Sequence, residues 1–334
     1  MKRIVGGMSL VLVVLALASF IAGQAQKAAS EPTHLPAGNG APPLSNPLKV
    51  ALLKWYPANL TTSVTVGNAP YGVAFDGENI WTANSGSGSV SKIRASDCTV
   101  LGTFNGPINP MGVVFDGADM WVSSYSGNSV TKLRASDGKS LGTFPVGKGP
   151  FWMAFDGQSI WVANSAEGTV SVLRASDGKN LGTINTGGSI AVAFDGNYIW
   201  VTTYTTTVVR LKRNGENAGT FTVGHNPLGI AFDGASIWVA NNSDGTVTKL
   251  RASDGATLGT FNTQGAPYGI AFDGVDIWVT LPDTGGLDEL RPSDGSLLGF
   301  FSPPTTGPYS PTGVTFDGAN VWTANSQGAI VSKL

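Results

Sequence analysis

Two histidines, one cysteine and five glutamates are all that this chain offers, beside its aspartates, for acid–base, nucleophilic or metal chemistry. His225, set before Asn226-Pro227, carries an imidazole that could serve as a general base or a metal ligand. Its own repeat shows no second histidine and no obvious carboxylate partner, so it reads first as a surface residue beside a turn. His34 lies far away in a proline-rich stretch. Asp283, in Leu281-Pro282-Asp283, is the acid that would join His225 if an acid–base site were assembled. A metal centre needs converging carboxylates or histidines. The spacing shows no such cluster, so neither metal nor other cofactor is expected, and no residue is assigned a catalytic role. The other chemistry on offer is stacking. Tyr71, Met111, Tyr125, Phe151, Trp152, Tyr204 and Tyr268, among scattered Asn and Ser, could hold a sugar, a peptide or a flat hydrophobic ligand.

Most of the remaining polar residues belong to a repeat. Phe-Asp-Gly occurs seven times, starting at Phe75, Phe115, Phe155, Phe194, Phe232, Phe272 and Phe316, about 40 residues apart. A tryptophan follows six residues after each Phe: Trp81, Trp121, Trp161, Trp200, Trp238, Trp278 and Trp322. Seven of the 22 acidic residues are therefore the Asp of this motif, and five more (Asp97, Asp137, Asp177, Asp254, Asp294) stand in a later Ser-Asp turn. Aspartate in such turns accepts backbone hydrogen bonds, so these twelve are read as structural. Arg94, Arg134, Arg174, Arg251 and Arg291 precede the same turns and are read as stabilising them. The repeated tryptophans lie mid-strand and are read as packing residues, and Asn84, Asn164, Asn241 and Asn325 as loop caps.

The elements that must position these residues follow from one copy. In Pro110 to Gly147, Met111–Phe115, Met120–Ser124, Ser129–Arg134 and Leu141–Val146 are apolar or alternating runs separated by turn residues. Each copy is thus four short strands, with no sustained helical periodicity. In Ile160-Trp161-Val162-Ala163 both faces of the strand are apolar, so both must be covered by neighbouring sheets. Such sheets packed around an axis make an all-β, seven-bladed β-propeller with four antiparallel strands per blade. The last copy ends in its third strand, Ile330 to Leu334, while Thr61–Val66 resembles an unaccompanied fourth strand. Pairing them closes the seventh blade, one strand from the N-terminal side and three from the C-terminal side.

The chain has 334 residues, 45 of them glycine, and 13% charged. Its net charge of −2 becomes −4 if Lys2 and Arg3 leave with a leader. No basic stripe marks a nucleic-acid partner. Lys2-Arg3, the apolar run Met8–Ala22 and the small residues Gly23 and Ala25 read as a signal peptide over residues 1–25, cleaved after Ala25, with a retained anchor as the alternative. Residues 26–59 form a Pro/Gly-rich linker and a pre-propeller segment, in which Lys49–Trp55 is an extra strand or a cover; residues 60–334 form the propeller. The expectation is an exported, periplasmic or extracellular, monomeric ring without a membrane span after cleavage. Cys98 is the sole cysteine, so packing and ring closure, not cross-links, must hold the fold.

The copies read Pro-X-Gly-Val/Ile-Ala-Phe-Asp-Gly-X-X-Ile-Trp-Val-Ala-Asn, and this pattern resembles the YVTN-type β-propeller repeats. Trp161–Asn164 and Trp81–Asn84 stand where that family has Tyr-Val-Thr-Asn. The resemblance covers about residues 60–334; it implies the seven-bladed fold and export but no single function. Repeat length and the Asp-Gly…Trp rhythm also look like the streptogramin (virginiamycin B) lyases, whose resemblance would imply a His and Glu pair with magnesium. No glutamate stands near His225, and Glu216 lies toward the opposite face. Gluconolactonase-type propellers would imply Glu, Asn and Asp ligands for a divalent metal. Here Glu31 is in the linker, Glu78 and Glu216 are in far-face turns, Glu289 is on an outer strand, and Glu167, on the mouth side, lacks an acidic neighbour. The primary reading is an exported binding or interaction module for an unknown protein, glycan or small molecule. A lyase-like or lactonase-like metal-dependent enzyme is the alternative, and a surface-layer or matrix component a further one. Departures from the repeat point to the mouth of the channel: Ser123-Ser124-Tyr125, Phe151-Trp152, Thr202-Thr203-Tyr204, Leu281-Pro282-Asp283 and the exit loop with Tyr309.

Overall fold

The computed structural model describes residues 63–302 and 309–334. The leader, the linker, Lys49–Trp55 and Thr61-Thr62 fall outside them. The described residues form seven four-stranded antiparallel sheets. Blade 2, for example, comprises Pro110–Phe115, Asp119–Ser124, Ser129–Arg134 and Ser140–Pro145, within a residue or so of the strands expected from the alternation. First strands of successive blades touch all the way round, and blade 7 returns to blade 1, where the Thr312 hydroxyl donates to the Tyr71 carbonyl at 3.0 Å. Blade 7 consists of Pro311–Phe316, Val321–Asn325 and Ile330–Lys333 with Ser63–Thr65 as its outer strand, Val64 facing Val331.

The core lies between blades. Trp161 and Ala163 pack toward blade 4, with Ile199 and Val201. Ile160 and Val162 pack toward blade 2, with Trp121 and Val130. Burying both faces of every sheet is the physical reason the strands close a ring.

The motif Asp and Trp bond to each other in every blade. The indole N–H of Trp121 donates to Asp116 Oδ2 at 2.7 Å, and Asp116 Oδ1 accepts the Ala118 and Asp119 amides. The same Trp-to-Asp bond spans 2.7–3.0 Å in the other six. The aspartate thus shapes the turn and satisfies a buried tryptophan at once. Arg94, Arg134, Arg174, Arg251 and Arg291 pair with the turn aspartates three residues on. The asparagines do more than cap loops. Asn84, Asn164 and Asn241 are fully buried and donate to third-strand hydroxyls, as Asn164 does to Ser171 at 2.9 Å.

A ladder of cations links the blades on the third strand. Lys92, Lys132, Arg210, Lys249 and Lys333 each lie over their own blade's Trp, 5.1–5.8 Å from a ring centroid. Lys92 and Lys132 also donate to carbonyls of the next blade, Ala135 and Ala175, at 2.7 and 2.8 Å. Blade 3 has Val172 at this position and blade 6 has Glu289.

Candidate binding site at the channel mouth

The innermost strands enter the ring from one face, and the residue just after each entry proline lies at the mouth end of its strand. In chain order these positions hold Tyr71, Met111, Phe151, Ile190, Leu228, Tyr268 and Thr312; blade 4 reaches Ile190 without a proline. Phe151, Ile190 and Leu228 are buried together, with Tyr71, Met111, Tyr125, Trp152 and Tyr268 packed on them. The rings meet edge to face: Tyr71 with Phe151 and Tyr268, Tyr125 with Phe151, Trp152 with Phe151 and Tyr268, at 4.9–6.2 Å. Edge-to-face contact suits the ring quadrupoles and fixes the rings mutually.

The next position is glycine in five blades. A Cβ at Gly72 would sit 2.3 Å from the Met111 carbonyl, so glycine is what lets neighbouring inner strands approach. Blade 3 has Trp152 there instead. Its indole packs beside Ala191 and Ala193 of blade 4 and reaches Tyr268 on blade 6. It separates two spaces. Toward the mouth is a basin of about 330 Å³ lined by Tyr71, Met111, Tyr125, Phe151, Tyr204 and Tyr268, with Ile190, Leu228, Asn109 and Ser165. Deeper in the channel is a cavity of about 140 Å³ bordered by Trp152 itself and first-strand residues such as Val73, Val113 and Ile230.

No charged residue lines the basin. The Tyr71 and Tyr268 hydroxyls, 197 residues apart, hydrogen-bond to each other in its floor. One hydroxyl must donate to the other, which leaves one O–H to offer to a ligand. Burial, above all, pushes both phenols upward, so they stay neutral donors and not bases at physiological pH.

The ring has the fold of the streptogramin B lyases. A streptogramin B lyase superposes with a TM-score of 0.71 at 17% identity, over 81% of this chain and 95% of that one. An inactive virginiamycin B lyase from Staphylococcus aureus with quinupristin gives 0.70 at 17%, over 81% and 97%. Hydrazine synthase from Kuenenia stuttgartiensis gives 0.68 at 18%, over 81% and 96%. At such identities the likeness is one of fold. No family model matches the sequence, the YVTN repeats included, and no curated protein matches it.

His225 and Asp283 stay outside the basin. Contrary to the sequence reading, His225 has a carboxylate partner in its own repeat: Nδ1 lies 2.9 Å from Asp244 Oδ1. Asp244 also accepts the His225 backbone N–H at 2.7 Å. That amide, then the ring, holds the Asp244 carboxyl below its usual range. The pair was missed because Asp244 lies in the second turn of blade 5, 19 residues on, which folds back beside the entry loop. The same device recurs on the mouth side. Glu167 accepts the Lys148 amide at 2.9 Å, and Asp283 accepts the Ala266 amide at 3.0 Å. These carboxylates lock entry loops and leave His225 and Asp283 on separate loops of the rim. Among the described residues no group of three or more His, Cys, Asp and Glu is placed to hold a metal ion. Ile190, Leu228, Asn109 and Ser165 were the basin residues not foreseen; Leu228 carries the same post-proline signal as Tyr71.

Proposed function

We propose that this chain is an exported, YVTN-type propeller that binds a neutral, ring-bearing ligand, a glycan unit or a small aromatic molecule, in the basin at its mouth. One observation carries the reading: the basin is uncharged, floored by mutually braced aromatic rings, and offers a few neutral hydrogen-bonding groups. Small-ligand sites have this composition, and about 330 Å³ lies at the small end of their range. The His225–Asp244 pair has an imidazole that is 72% exposed and lies beyond the basin lining.

The test is a thermal-shift and saturation-transfer NMR screen of neutral disaccharides and end-blocked aromatic dipeptides, each beside a charged analogue. A neutral hit should raise Tm by about 5 °C at a hundredfold excess over Kd. It should fail with Tyr268→Ala and with Phe151→Ala. Equal shifts from the charged analogues, or a hit that survives both substitutions, would overturn the assignment.

A further inference from the structure

The cation ladder is interrupted at blade 6, and we propose that the interruption is a binding site for a primary ammonium group supplied from outside the chain. Blade 2 shows the complete arrangement. There Lys132 Nζ lies 3.1 Å from Asp119 Oδ2, 3.5 Å from Asp116 Oδ2 and 5.1 Å from the Trp121 ring centroid. Blade 6 repeats the side-chain partners of that ammonium, though not its next-blade carbonyl, Ala175 in blade 2: Asp273 for Asp116, Asp276 for Asp119, Trp278 for Trp121. The strand register is also the same, Trp278 opposite Glu289 as Trp121 is opposite Lys132. What blade 6 lacks is the ammonium. The residues that hold one in blade 2 stand in place around a third carboxylate.

A second observation points the same way. Six of the seven motif tryptophans are at most 1% exposed, whereas Trp278 is 8% exposed. In five sister blades a cation lies over this tryptophan, whereas in blade 6 the residue opposite it is Glu289. A carboxylate is a poor cover for it, because the indole face is itself negative. The charges are also unbalanced. Burial, then Asp276 and Asp273, pushes the Glu289 carboxyl up. Burial, then Asp273, does the same to Asp276 against a smaller opposing effect of Arg291. Arg291 is itself engaged by Asp294 and Ser296.

The chemistry favours an ammonium over a metal ion. Asp273 is already committed: Oδ1 accepts the Val275 and Asp276 amides and Oδ2 the Trp278 indole N–H. Its remaining lone pairs suit a longer charge-assisted contact like that of Lys132 with Asp116 better than a short coordinate bond. An aromatic face adds to ammonium binding and contributes nothing to a hydrated divalent ion. The Asp-Gly turns lie at the blade end away from the mouth, so this site is distinct from the basin. Its ligand is a lysine side chain of a partner protein or a free alkylamine.

The probes are cadaverine and N-acetyl-lysine methylamide, with 1-pentanol, calcium chloride and sodium chloride of matched ionic strength as controls. Binding is followed by ligand-observed NMR and tryptophan fluorescence. Both amines should bind the wild-type protein and bind Glu289→Lys about tenfold more weakly, because that variant fills the cage from within. Asp276→Asn should weaken them in the same way. Glu289→Lys restores the residue type of blades 1, 2, 5 and 7 and should melt no lower than wild type, which keeps the comparison between folded proteins. A preference for cadaverine assigns the site to free amines; equal or tighter binding of the blocked lysine assigns it to a partner's side chain. Undiminished amine binding by Glu289→Lys, an equal response to 1-pentanol, or an equal response to calcium would overturn the proposal.

Discussion

Asp288 illustrates how one side chain can break a repeat and leave a measurable trace. In blade 3, Asn164, Ser171 and Thr183 form a chain of hydrogen bonds across the sheet; blades 1 and 5 build the same chain. In blade 6 the corresponding residues are Leu281, Asp288 and Phe300. Asp288 is fully buried, accepts one amide, from Gln264 at 2.8 Å, and leaves Oδ1 without a partner. Burial pushes its carboxyl up. The folded state therefore holds this proton more tightly than the unfolded chain, whose aspartates titrate near about 3.9. As pH rises from there the unfolded chain ionises first and stability falls, until the cost is complete above the folded pKa. Asp288→Thr, which restores the residue type of blade 5, should stabilise the protein by about 1 kcal/mol at pH 7. The gain should shrink toward zero at about pH 4. Thermal melts of both proteins across this range check it; a gain independent of pH would mean that ionisation is not the cause. Asp116 and Asp317 act in the opposite direction. Burial would raise them, but the Trp121 and Trp322 indoles with nearby amides outweigh it and lower both. Their contribution is lost as pH falls through their folded pKa values, so the protein as a whole should still weaken in acid.

At the scale of the element, the decisive piece is a strand of only three residues. Ser63–Thr65 pairs with Ile330–Ser332, the Val66 amide donates to the Ala329 carbonyl at 2.7 Å, and Val64 is buried with Trp322, Val331 and Ile80. It joins residues more than 260 positions apart in a chain whose other sheets are all local. Deleting residues 61–66 should therefore lower the melting point of the entire propeller in one transition. Val64→Asp, which buries an unpaired carboxylate, should cost about 3 kcal/mol or more. Calorimetry decides: an unchanged Tm, or separate melting of blade 7 alone, would show that the ring does not depend on this closure. The strand was legible because Thr61–Val66 carries the alternation of a fourth strand with no blade in front of it. Blade boundaries were legible for the same local reason, since Asp-Gly turns and period-two runs depend on neighbours in sequence. The contacts of the mouth were not. That Tyr71 would meet Tyr268, or that Trp152 would reach blade 6, depends on closing the ring, and no spacing within one repeat encodes it. His225 and Asp244 fall between these cases: one repeat holds both, yet only the folded turn brings them together.

Across the whole molecule the same ring must do two jobs, holding seven sheets at a common axis and leaving a site at its mouth. Glycines settle the first for most inner strands by letting backbones approach, and the cation ladder ties blades together farther out. Trp152 is where the two jobs meet. It replaces one glycine, fills the axis, and touches side chains of blades 3, 4 and 6 beneath the basin floor. Phe151 and Tyr268, which line the basin, rest against it, whereas Trp152 is itself absent from the lining. If it is a strut, Trp152→Ala should cost about 2–3 kcal/mol of stability. It should also weaken any basin ligand about tenfold without removing a direct contact, because Phe151 and Tyr268 lose their brace. Tyr204→Ala is the matched control. Tyr204 borders the same basin but is 50% exposed and makes none of these ring contacts, so its loss should leave Tm within about 1 °C. Melting curves and ligand titrations of the two variants separate the roles. If Trp152→Ala melts like wild type and binds as tightly, the indole merely occupies the channel, and the order of the mouth must come from the rim loops that Glu167, Asp244 and Asp283 hold in place.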